Sequence, residues 1–115
     1  MVTEISDHIG DVEGVRTINA LILTAITNLR EIFREDPGNM AWSKNKVRGY
    51  LEDKLLDKLD VTRKDIGIKN ATVAFTHNVV NDLNIGFYDI SDLQRIEESV
   101  KRYALGYWRR IRCQS

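Results

Sequence analysis

Two apolar seams constrain what this chain can fold into. In "VRTINALILTAITNLREIFRE", Val15, Ile18, Ile22, Ala25, Leu29 and Ile32 recur at alternating steps of three and four. That spacing keeps one face of an α-helix apolar along its length, whereas a strand would turn every second side chain away. Leu21, Ile26 and Phe33 widen the stripe to the breadth that burial in a globular core requires. A second seam runs through Leu93, Ile96, Val100, Tyr103, Tyr107 and Ile111. Each stripe needs an apolar partner, either the other seam or a second copy of the chain. Symmetric dimers are the common outcome, and we expect a homodimer.

The segments around the seams carry their own signals. Residues 1–13 have no clear period, which predicts an irregular N-terminal arm. Asp36-Pro37-Gly38-Asn39 should end the first helix, because proline disfavours helix at the preceding residue. Ser43 can cap a second helix, with Trp42 and Val47 at staple spacing around it. Val47, Leu51, Leu55 and Leu59 mark one face of that helix, with Tyr50 and Leu56 beside it. Thr62 and Asp65 have capping-box spacing before a short third helical piece over 63–66, which Gly67 would limit. "ATVAFTHNVVNDLNIGFYDI" reads as a β-hairpin by composition. Pairing Val79 with Leu83 and Phe75 with Phe87 puts these residues and His77 on one buried face, with Tyr88 on the other. Ser91 and Gln94 then supply a capping box for the last helix.

The expected fold is α+β and mostly helical, in the order helix, helix, short helix, β-hairpin, helix. It amounts to a winged-helix-like core with long N- and C-terminal helices. A length of 115 residues predicts one domain over 1–115. The 43% hydrophobic and 30% charged composition is that of a folded chain, not a disordered one. One cysteine, Cys113, allows no internal disulfide and suits a reducing compartment. The acidic, polar start does not read as a secretory leader, and the longest uncharged stretch, Thr17 to Leu29, is too short to span a bilayer. These features predict a cytoplasmic protein with no membrane partner.

Net charge is zero, but the charges are segregated: residues 1–15 carry −4, 43–70 carry +3, 71–100 carry −4 and 101–115 carry +5. Lys101, Arg102, Arg109 and Arg112 fall on one side of the last helix, with Leu105 among them and Trp108 at the border. Helix physics explains part of this: cations are favoured near a helix C-terminus, and Glu97–Lys101 and Glu98–Arg102 have ion-pair spacing.

Two binding roles follow from this pattern. In the leading one the chain is a nucleic-acid-binding regulator acting as a homodimer, with Thr62, Arg63, Lys64 and Lys69 reading DNA and Lys101, Arg102, Arg109 and Arg112 on phosphates. Lys44, Lys46, Arg48 and Asn70 are further contact candidates. In the other it is a protein-interaction module, an adaptor or inhibitor, that presents Leu105 and Trp108 to an acidic protein partner. An enzyme is not expected. His77 reads as a core histidine, and the Glu52/Lys54 pair lies on a helix without the strand context of a nuclease. No metal-ligand spacing, phosphate-cradling glycine loop or cofactor motif is present in the sequence.

Overall fold

The computed structural model describes residues 2–35, 41–59 and 66–113. The chain is mostly helical, with four helices and a small antiparallel two-stranded sheet among these residues. In chain order they are α1 (Val2–Glu35), β1 (Trp42–Ser43), α2 (Lys44–Lys58), α3 (Ile66–Asn81), β2 (Phe87–Tyr88), a 3-10 turn (Ile90–Asp92) and α4 (Leu93–Cys113).

The seams behave as their spacing predicts. Ile18, Ile22, Ala25 and Leu29 of α1 are buried, as are Leu93, Ile96, Val100, Tyr107 and Ile111 of α4. They face each other within one chain. Arg30 meets Glu97 at one end, while Arg109 and Arg112 meet Asp11 at the other, so the two helices run antiparallel. α3 lies antiparallel to α4, with Ser99 against Val79 and Tyr107 against Thr72. α2 closes the ring, joined to α3 by Thr76–Glu52, and Trp42 of β1 just before it meets both Phe33 of α1 and Tyr50 of α2 edge-on. Val47, Leu51 and Leu55 of α2 fill the remaining side of the core.

Ser43 caps α2 as expected, its hydroxyl accepting from the Lys46 backbone N–H at 3.2 Å. Other expectations are corrected. The N-terminal arm is helical from Val2, so α1 is 34 residues long. Gly10 and Gly14 lower helix propensity locally, but a helix already nucleated by the long seam propagates through them. Gly67 does not stop a helix; it sits in the first turn of α3. The Asp36–Asn39 turn and the piece over 62–65 lie outside the described residues. α4 does not start from a Ser91/Gln94 box. Asp89 caps the 3-10 turn, accepting from Ser91 N–H at 2.9 Å, while Asp92 reaches back to the Asp89 N–H at 3.0 Å.

The largest correction is the hairpin. Ala71 through Asn81 is the body of α3, and neither the Val79–Leu83 nor the Phe75–Phe87 pairing exists. The composition is rich in threonine, valine and phenylalanine, which favours strands, but β propensity follows packing context more than backbone preference. The same residues also satisfy a helical period, and Ala71, Thr72, Phe75, Thr76, Val79 and Val80 are buried on one side of α3. Thr72 and Thr76 neutralise their own hydroxyls by bonding back to the carbonyls of Ile68 and Thr72. His77, expected on the apolar face, is exposed.

Strand structure survives as two residue pairs, Trp42 opposite Tyr88 and Ser43 opposite Phe87. Their orientation reverses the expected one: Phe87 is 68% exposed and Tyr88 is fully buried. The Tyr88 hydroxyl donates to the Val80 carbonyl, and the Ser99 hydroxyl donates to that of Val79. Side chains therefore satisfy last-turn carbonyls of α3 that have no partner within the helix. Asn84, at φ 48°, turns the chain out of α3. It uses the left-handed region that asparagine tolerates better than most residues.

Tyr88→Ala should cost about 3–5 kcal/mol in chemical denaturation, through the cavity and the orphaned carbonyl. Phe87→Ala should change stability by less than about 0.5 kcal/mol. Burial, reinforced by Asp92 and Asp82, pushes the Tyr88 phenol up to about 12. A raised phenol favours the folded state fully below the unfolded value near 10 and loses that contribution as pH rises towards 12. Stability should thus fall between about pH 10 and 12, and more steeply in the natural protein than in Tyr88→Phe.

Candidate functional site

The joint between α1 and α4 holds the residues with the strongest claim to a function. Trp108 projects from α4 across Gly14 of α1. A Cβ added at Gly14 would sit 2.0–2.4 Å from atoms of the indole ring, so no larger residue fits without displacing the tryptophan. Glycine here is required by close approach rather than by backbone conformation. The indole N–H is buried and has no hydrogen-bond partner among the described residues.

One turn towards the N-terminus, the Asp11 carboxylate is about nine-tenths buried. Arg109 Nε lies 3.2 Å from one of its oxygens and Arg112 Nη1 lies 3.2 Å from the other. Two guanidiniums around one shielded carboxylate suit a charge that cannot be left alone.

Beside this clamp a crevice of about 320 Å³ opens between the helices, lined by Asp11, Val12, Val15, Arg16, Leu105 and Arg109. Its walls are mainly apolar, and its charged residues are the exposed Arg16 and the Asp11–Arg109 pair. Val12 is 41% and Leu105 38% exposed, and both belong to the small set of large apolar residues left at the surface. Leu105 lies on the surface as the sequence suggested, while Trp108 is half-buried against Gly14 and anchors the face rather than offering it.

The basic residues of α4 do not form one surface. Arg109 and Arg112 turn towards α1 and Asp11, whereas Arg102 turns the other way to Asp82, which also accepts from Ser99 and Tyr103. The expected pairs along α4 are superseded: Glu97 holds Arg30 at 3.1 Å, and Arg102 holds Asp82. Lys101 is exposed on α4 and Lys69 on α3. Thr62, Arg63 and Lys64 lie outside the described residues. On α2, Lys44 bonds Asn81 at 2.7 Å, Lys46 sits over the Trp42 ring and Arg48 pairs with Glu52.

Reading the first thirteen residues as an arm hides Asp11 and Val12. Their signals were present: Val12, Val15 and Ile18 extend the seam by steps of three, and the −4 run at 1–15 complements the +5 run at 101–115. Comparison with known protein families, curated proteins and solved structures found no match.

Gly14→Ala should destabilise by about 1–3 kcal/mol through overpacking, although alanine is the better helix former. In a Trp108→Ala background the same change should instead stabilise, by about 0.5–1 kcal/mol. Thermal denaturation of the four-protein cycle measures both. Equal effects in the two backgrounds would mean that the indole does not lie on Gly14.

Proposed function

We propose that this chain is a protein-interaction module, an adaptor or inhibitor, whose α1–α4 crevice receives an apolar side chain from a partner segment with acidic flanks. The carrying observation is convergence. Leu105 and Val12, from two helices, share one crevice with Arg16 and the Asp11–Arg109 pair at its edge. An apolar centre inside a charged rim is the usual anatomy of a protein–protein contact, and the exposed Arg16, which has no ion-pair partner among the described residues, selects an acidic partner.

The nucleic-acid reading draws its support from Lys69, Lys101 and the basic residues Arg63 and Lys64. It is the weaker reading because Arg102, Arg109 and Arg112 already hold carboxylates of the same chain. Contact with a phosphate would exchange one ion pair for another, removing much of the electrostatic gain on which such binding depends. A winged-helix-like arrangement would also have to do without the expected wing, since α3 occupies most of that segment. Homodimerisation loses its first motive, because the two seams bury each other within one chain.

The test uses isotope-labelled protein and a synthetic amphipathic helical peptide with leucines on one face and glutamates flanking them. Saturable shifts should centre on Val12, Val15 and Leu105. Leu105→Asp should weaken binding at least about 30-fold, the loss of a central anchor, and Arg16→Glu should weaken it further. An unresponsive crevice, together with salt-sensitive binding to duplex DNA at about 50 mM salt, would replace this reading with the nucleic-acid one. A doubled mass in sedimentation that Leu105→Asp abolishes would make a second copy the occupant.

A further inference from the structure

On the opposite flank of α4 a second groove, about 360 Å³ in volume, separates it from α3. Its surface is built from small residues, Ala71 and Ala74 of α3 and Gly106 of α4. Beneath it Phe75 and Tyr107, each about 3% exposed, stack on one another with ring centroids 4.4 Å apart and planes inclined by 7°, and the half-buried Tyr103 is the lining aromatic residue more open to solvent. The Tyr107 hydroxyl is held by Thr72 at 2.7 Å, which fixes the orientation of the stack. Arg102 and Arg110 also line the groove, two turns apart on α4. Arg102 is engaged by Asp82, whereas Arg110 is exposed and has no ion-pair partner among the described residues.

We infer that this groove binds a small aromatic carboxylate, its ring over Gly106 against the half-buried Tyr103 and its carboxylate on Arg110. The volume falls within the range of small-molecule sites. The ring of Tyr103 favours a flat apolar ring, which packs offset or edge-on against it. A guanidinium pairs with a carboxylate through two parallel hydrogen bonds, a geometry that selects planar anions. The Asp82 carboxylate borders the groove at the Arg102 end, two turns from Arg110, and is itself held by Arg102 and Ser99. Gly106 keeps the mouth open: a Cβ there meets nothing within 4 Å, so a larger side chain would fill the groove without displacing the protein's own atoms. This site does not depend on the α1–α4 crevice.

The probe is 2-naphthoate, titrated into the isotope-labelled full chain and followed through the amides of Ala71, Ala74 and Asn78. Saturation is expected with a Kd of about 0.1–1 mM, typical of a ligand of this size. Arg110→Gln should weaken it at least about tenfold, as loss of a charged hydrogen bond does. Neutral 2-naphthol should bind more weakly by a similar factor. Gly106→Leu should abolish binding while leaving the circular dichroism and melting transition intact, since leucine is the better helix former. Leu105→Asp should leave naphthoate binding unchanged, which separates this result from the fate of the protein-interaction reading. No saturation by about 10 mM, shifts centred on Val12 and Leu105 instead, or indifference to both Arg110→Gln and Gly106→Leu would overturn the inference.

Discussion

The contact of the Trp108 indole with the bare backbone of Gly14 sets the spacing and the register of α1 and α4. An indole wedged against a position that admits no side chain allows little sliding. Ion pairs bracket that contact at both ends of the joint, Asp11 with two arginines at one and Arg30 with Glu97 at the other. Of these only the Asp11 carboxylate is well shielded from water. Exposed partners add little energy, so the ion pairs mainly fix orientation while apolar burial supplies stability.

The second half of the bundle depends on polar satisfaction. α3 carries two buried threonines, and each is tied: Thr72 to Tyr107, and Thr76 to Glu52 at 2.9 Å. Glu52 in turn accepts from Arg48 at 2.9 Å, so the Thr76 hydroxyl ties α3 to a charge pair within α2. At the far end of α3, Tyr88 and Ser99 take up carbonyls the helix cannot satisfy itself. A strand-rich composition is thereby accommodated in a helix without leaving its hydroxyls or carbonyls unpaired in the core.

Charge segregation along the sequence has the same internal character. The acidic start and the basic end meet at Asp11, Arg109 and Arg112. The acidic middle reaches the last helix through Asp82 and Arg102. The basic stripe is divided between two neighbouring helices, and Leu105 is left between the divided halves. That division fits the proposed apolar contact at Leu105 better than a continuous phosphate-binding surface. It also leaves Arg110 on the α3 side, facing a groove of aromatic and small residues.

How much of this was legible in the sequence follows from the range of each interaction. The seams at 15–32 and 93–111 determined two long amphipathic helices, and Ser43 determined the start of α2, because helical period and capping act over a few neighbouring residues. The surface position of Leu105 followed from the same wheel. Residues 71–81 could not be assigned locally: their threonines, valines and phenylalanine fit a strand by composition and a helix by spacing. Only the room between α2 and α4, with Glu52 and Tyr107 waiting for threonine hydroxyls, decided for the helix. The choice between Phe87 and Tyr88 as the buried ring likewise rested on a carbonyl at the end of α3 that needed a donor. The candidate crevice was half legible. Leu105 was visible, but Asp11, Val12 and Gly14 acquired their roles from Trp108 and Arg109, nearly a hundred residues away in the chain and brought beside them only by the antiparallel packing of α1 on α4.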